Sequence, residues 1–179
     1  MNPRNTQPIR LLAAISWICA MTAQAAAVEF IREKKPFREA AAVHLNGFSY
    51  HKASDRSELN EANYGLGFGY YLGTLESDWP LLQDAAVSVE TECYSDSFSK
   101  FAYLCGVTFQ KELTGYLDYG INIGLIHEDH LVDDIGLYLV PYLFPYLQTR
   151  FDTPINARLT IIPPVGNKGV FALQLIARF

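Results

Sequence analysis

Hydrophobic side chains recur at every second position along most of this chain, in runs broken by turn-forming residues. Phe101, Tyr103, Cys105, Val107 and Phe109 alternate with Lys100, Ala102, Leu104, Gly106, Thr108 and Gln110, so an extended backbone there carries one apolar face and one small or polar face. Tyr64, Leu66, Phe68 and Tyr70 stand in the same way against Asn63, Gly65, Gly67 and Gly69. Leu117, Tyr119, Ile121, Ile123 and Leu125 stand against Asp118, Gly120, Asn122 and Gly124. Followed to the end, the period of two predicts strands near 43–52, 61–73, 84–95, 98–111, 114–127, 135–147, 154–163 and 168–179.

An even number of strands lets an antiparallel sheet close with both termini at one end. Period alone does not say which face is inside, and a soluble lipocalin-like barrel would turn the apolar face inward. Size separates the two. Gly65, Gly67, Gly69, Gly120 and Gly124 all fall on the small face, which suits a confined interior and leaves a bulky hydrophobic exterior that belongs in lipid. The last run, Phe171 to Phe179, alternates and closes on an aromatic residue, as outer-membrane barrels commonly do. The expected fold is all-β: an eight-stranded antiparallel transmembrane β-barrel of a Gram-negative outer membrane, over residues 43–179.

The first residues supply an export signal. Arg4 and Arg10 precede an apolar run from Leu11 to Ala20, followed by Ala23-Gln24-Ala25 and Ala25-Ala26-Ala27. This is the pattern of a signal peptide over 1–25, cleaved after Ala25 or Ala27. The run is short of the ~20 residues a spanning helix needs, and no later stretch is long enough either. Cys19 falls inside the leader, and Ser16-Trp17-Ile18 before it are too bulky for a lipoprotein cleavage site. Residues 26–42 are then a periplasmic or interfacial N-terminal segment. Cys93 and Cys105 remain in an oxidising compartment, where they can pair only if the hairpin between them turns close to Ser99.

Length and charge narrow the function. The 179 residues make one domain, and a net charge of −5 without a basic stripe excludes nucleic acid as a partner. A closed barrel has no free sheet edge, so a monomer is expected.

Three stretches go beyond barrel patterning. Asn60-Glu61-Ala62-Asn63-Tyr64-Gly65-Leu66-Gly67-Phe68-Gly69 is followed by Asp96-Ser97-Phe98-Ser99-Lys100-Phe101. Val140-Pro141-Tyr142-Leu143-Phe144-Pro145 then leads to Ile162-Pro163, Asn167-x-Gly169 and Arg178-Phe179. In order and spacing these resemble the lipid A palmitoyltransferase (PagP) family. The resemblance implies transfer of a palmitoyl chain from a glycerophospholipid to a hydroxyacyl chain of lipid A, at the outer leaflet, without cofactor or metal. It also implies a His, an Asp and a Ser at the extracellular end.

Asp96 and Ser97 match that pair directly, although Asp and Ser also favour plain turns. For the histidine, His51 at the outer end of the first strand is preferred. His44 is the alternative, seven residues earlier, about 23 Å down an extended strand and of opposite side-chain parity. His127 and His130, in an acidic loop, read as solvated. Acyl transfer needs a hydroxyl made more nucleophilic, and His is the usual base near neutral pH, oriented by a carboxylate. Whether Ser97 is acylated or polarises the ester stays open at this level.

Pro141, Pro145 and Pro163 lack a backbone N–H, so they interrupt ladders and could make a lateral door for a lipid. The resemblance places the floor of the acyl pocket on the strand carrying Gly106 and Thr108. The family has a glycine there and this chain has Thr108, which implies an acyl chain shorter than palmitate or a floor placed elsewhere. Two features depart from the family. The segment 28–37 lacks the Trp of its amphipathic helix and is broken by Pro36, and the polar loop 52–58 differs in composition, which touches acceptor recognition. Other readings of the same pattern are a non-catalytic outer-membrane barrel, a lipid A deacylase and a soluble lipid binder.

Overall fold

The computed structural model describes residues 28–52, 59–129, 132–133, 136–165 and 168–179. A short strand β1 (Val28–Arg32) and a one-turn helix α1 (Phe37–Ala40) lead into eight longer strands. These are β2 (Ala41–Lys52), β3 (Gly65–Ser77), β4 (Ala85–Ser95), β5 (Phe101–Thr114), β6 (Leu117–His127), β7 (Val140–Thr149), β8 (Ile155–Val165) and β9 (Lys168–Arg178). Each of the eight pairs antiparallel with the next and β9 returns to β2, so the sheet closes into a barrel. The eight strands expected from the period of two are all present. The expected leader lies outside the described residues, and no described helix is long and apolar enough to cross a membrane.

The N-terminal segment adds a strand that periodicity did not single out. β1 extends the line of β2 below the barrel, pairing with β3 from Val28↔Ser77 to Arg32↔Gly73. This is why β3 runs to Ser77 and not to residue 73. The chain turns through α1, whose Phe37 stacks outside the wall on Phe68 and Tyr70, ring centroids 6.1 and 5.9 Å apart.

The outer face is largely apolar and the inner face largely polar. Leu45, Leu66, Ile121, Ile123, Leu125, Leu143, Leu173 and Leu175 are exposed on the outside, while His44, Glu90, Glu92, Asn122, Gln148, Arg158 and Gln174 are buried within. A lipocalin-like binder needs the reverse. The inner glycines make room for this polar filling. A Cβ at Gly69 would lie 2.9 Å from His44 Nε2, one at Gly67 2.6 Å from Glu92 Cγ, and one at Gly120 would strike the Tyr146 ring.

The two ends differ. The lower end carries both described chain ends and the β3–β4, β5–β6 and β7–β8 turns, and the upper end carries the β2–β3, β4–β5 and β6–β7 connections. Two seams are incomplete towards the upper end. β2 pairs β3 only from Ala41↔Tyr70 to Asn46↔Gly65, and β7 pairs β8 only at Tyr146–Gln148. The β4–β5 hairpin does turn at Ser99, in the left-handed region at φ 61°. Cys93 and Cys105 then lie on the outer face two places out of register, as free thiols.

Candidate functional site at the upper end

The path of β2 decides which histidine reaches the upper end. Pairing with β9 runs regularly to Asn46↔Gln174 and resumes at Phe48↔Leu173, leaving Gly47 as a bulge. A bulge inserts one residue and exchanges the faces beyond it. His44 and His51, seven apart and expected on opposite faces, therefore both point inward, at 1% and 2% exposure. The parity that separated them in an unbroken strand does not hold. Height separates them instead: His44 is level with Ile176 of β9 and His51 with Val170, roughly 20 Å higher at ~3.3 Å per residue.

The β4–β5 turn brings the other two residues. Asp96 Oδ1 accepts hydrogen bonds from the N–H groups of Phe98 and Lys100, both 2.8 Å, and the Asp96 N–H donates to Lys100 O at 2.8 Å. The carboxylate thus shapes the turn from within, at 1% exposure. Ser97, the next residue, presents its Oγ 2.6 Å from His51 Nε2. The structure brings His51, Asp96 and Ser97 to one place. It leaves His44 apart, with Nδ1 3.0 Å from Glu92 Oε1 and Nε2 3.8 Å from Glu90 Oε1.

Below the turn the interior is apolar. Leu104, Ile126 and Tyr142 are buried, and Tyr94, Val140 and Phe144 pack half-buried against them. The lining ends where Tyr142 Oη donates to Asn122 Oδ1 at 2.8 Å, above Gly106, whose added Cβ would strike both groups. Thr108 stands opposite Asn122 in the β5–β6 register, with its hydroxyl 3.3 Å from Ser88 O and 3.5 Å from Glu90. Pro141 and Pro145 fall in the stretch of β7 that has no ladder to β8, and Pro163 falls where the β8–β9 register shifts.

A belt of charge closes the barrel at mid-height. Arg158 donates twice to Glu90, at 2.7 and 2.9 Å, and once to Gln148 at 3.0 Å, with its guanidinium 4.2 Å over the Tyr146 ring. Asn122 also donates to Glu90, and Asn46 and Gln174 donate to Glu92. His44, Glu90 and Glu92 offer metal-ligand atoms within 4.8 Å of one another. Every carboxylate oxygen among them already accepts a hydrogen bond, so a divalent cation would have to displace Arg158 and the amides. The donor set fits a hydrogen-bonded plug better than a metal centre.

Below the belt, an open cavity of about 550 Å³ has charges of both signs at its rim, including Lys35, Glu39, Asp118, Arg150 and Arg178. His127 is not a solvated loop residue. It lies between the rings of Tyr103 and Tyr138, with Nδ1 2.8 Å from Tyr138 O. His130 and the loop 53–58 lie outside the described residues.

Sequence reading missed the residues that tie the upper end together. Asn60 and Asn63 sit before β3 at the start of the motif Asn60 to Gly69, whose strand pattern and resemblance assign no role to either side chain. The belt was legible only as polar residues at alternate positions, Ser88-x-Glu90-x-Glu92 and Asn156-x-Arg158. Comparison of the chain with protein-family models and with curated proteins gives no match.

Proposed function

We propose that this chain is an outer-membrane acyltransferase of the lipid A palmitoyltransferase type, which moves an acyl chain from a glycerophospholipid to a hydroxyl of lipid A. The observation that carries the reading is the 2.6 Å contact of His51 Nε2 with Ser97 Oγ, part-buried at the upper end above an apolar cluster inside the barrel. The membrane setting is supported by the apolar exterior and by strands of 10 to 14 residues, long enough to span when tilted. Exposed aromatics also ring both ends, Trp79, Tyr116 and Phe151 below and Tyr64, Phe98 and Phe101 above, as interfacial girdles do.

The chemistry follows from the pair. His51 Nε2 takes the Ser97 proton as Oγ attacks the ester carbonyl of the phospholipid, and the carbonyl–glycerol oxygen bond breaks. His51 passes the proton to the leaving glycerol oxygen, giving a lysophospholipid and acyl-Ser97. A lipid A hydroxyl then attacks the acyl group, its proton returns through His51 to Ser97 Oγ, and acylated lipid A departs. The upper gap between β7 and β8, flanked by Pro141 and Pro145, supports lateral entry of the lipid. No step calls for a cofactor.

The test incubates the detergent-solubilised protein with phosphatidylcholine and lipid A and reads both products by mass spectrometry. One added acyl chain on lipid A with equimolar lysophospholipid is expected. Loss of a chain from lipid A would reassign the protein as a deacylase. Lipid A left unchanged would favour a barrel that acts by binding or by strengthening the membrane.

A further inference from the structure

The segment between β2 and β3 holds the reactive pair where the sheet does not. Above Asn46↔Gly65 the β2–β3 ladder stops, so the upper half of β2, which carries His51, is laddered on its β9 edge alone. On the other edge, Ser49 N–H donates to Glu61 O at 2.8 Å and Ser49 Oγ donates to Asn63 Oδ1. The same segment grips the turn that carries Ser97. Asn60 N–H donates to Ser97 O at 2.7 Å, and Asn60 Nδ2 reaches Asp96 O at 3.2 Å. Asn63 Nδ2 donates to Ser95 O at 2.8 Å. Each asparagine shapes the bridge as well, since Asn60 Oδ1 accepts from the Ala62 N–H at 3.0 Å.

We infer that Asn60 and Asn63 are positioning residues for the acyl-transfer site, linking the strand of His51 to the turn of Ser97 across the unpaired seam. The inference rests on the function proposed above. Asparagine suits the task because one side chain offers both a donor and an acceptor. Asn63 uses both at once, accepting from β2 and donating to the end of β4. An alanine cuts both bonds, whereas an aspartate keeps the acceptor for Ser49 and loses the donor to Ser95. The expected consequence is loss of alignment between Nε2 and Oγ with the barrel intact, because the eight-stranded closure does not depend on these side chains.

The test uses the full chain in micelles. N60A/N63A should lower kcat on phosphatidylcholine and lipid A about 100-fold, the scale of a misplacement near 1 Å. KM should stay within about twofold, because lipid binding is untouched. In an S97A background the same two substitutions should lower the residual rate no further. N63D should fall between wild type and N63A. A second arm needs no turnover: in protein labelled with ¹⁵N-histidine, S97A shifts the His51 Nε2 resonance, and N60A/N63A should shift it in the same direction. A folded N60A/N63A with wild-type kcat, or an equal loss in the S97A background, overturns the inference. If wild type transfers no acyl group, the functional reading fails, and the resonance alone decides the positioning role. If N60A/N63A does not fold, N63D carries both arms.

Discussion

The upper end and the mid-height belt are both buried and polar, yet they are built on opposite principles. In the belt the carboxylates are met by short bonds, with Arg158 forked onto Glu90 and His44 hydrogen-bonded to Glu92, and laddered strands surround it. At the upper end two seams lose their ladders, and a reactive contact is held by asparagine side chains and a strained turn. Satisfied charge in low dielectric makes a rigid plug. Interrupted pairing leaves room for a substrate to enter and for protons to move. On the proposed function, one barrel keeps stability and chemistry on separate levels, and the comparison can be broken at either.

The largest effect should come from the reactive pair. Ser97→Ala and His51→Ala should each lower acyl transfer by about 10²- to 10⁴-fold, measured as lysophospholipid release, while urea midpoints in micelles stay near wild type. The belt should answer in the opposite way. Arg158→Met leaves Glu90 buried without its guanidinium and should cost about 3–5 kcal/mol of stability. The double variant with Glu90→Gln should recover most of that. Equilibrium unfolding of the three proteins checks it, and a belt variant that lost activity without losing stability would erase the separation.

How far this was legible in sequence follows the same division. Alternation located all eight strands because a laddered strand with one lipid-like face repeats strictly every two residues. It failed where that condition fails. The apolar positions pass from Val43 and Leu45 to Phe48 and Tyr50, a phase change at Gly47; unless it is read as a bulge, parity puts His44 and His51 on opposite faces. β1 escaped because all five of its residues are exposed and no buried face imposes a pattern. Asp96-Ser97 could be singled out with a role, whereas Asn60 and Asn63 stood in a motif without one, because their bonds to the ends of β2 and β4 exist only once the strands are folded together.

The β7–β8 seam offers a smaller and reversible effect. Extending the register Tyr146↔Thr160 two places upward sets Phe144 opposite Ile162. In a Cys93→Ser/Cys105→Ser background, Phe144→Cys with Ile162→Cys should form a disulfide across the open seam. If lipid enters there, oxidation should lower kcat/KM on long-chain phosphatidylcholine about tenfold, and a reductant should restore it. A short water-soluble ester, which needs no lateral path, should turn over alike in both states. Equal inhibition of both substrates would show that the lock distorts the site and gates nothing.

The smallest effect concerns acyl length. A floor at Thr108 and a floor at the Tyr142–Asn122 layer make different predictions because the Thr108 hydroxyl is turned to Ser88 O and Glu90, whereas Tyr142 Oη and Asn122 Oδ1 meet over Gly106. If the layer is the floor, Thr108→Gly opens space that no acyl chain reaches, and the preferred length should not move. Phe144→Ala instead removes a ring that stacks on Tyr142 itself, with centroids 4.4 Å apart, and makes room beside the layer. Each additional methylene accommodated is worth about 0.8 kcal/mol, roughly a fourfold change in preference between neighbouring chain lengths. Competition among phosphatidylcholines of graded chain length, read by mass spectrometry of the acylated lipid A, separates the two. A shift with Thr108→Gly and none with Phe144→Ala would move the floor below the belt and make the charged plug permeable to lipid.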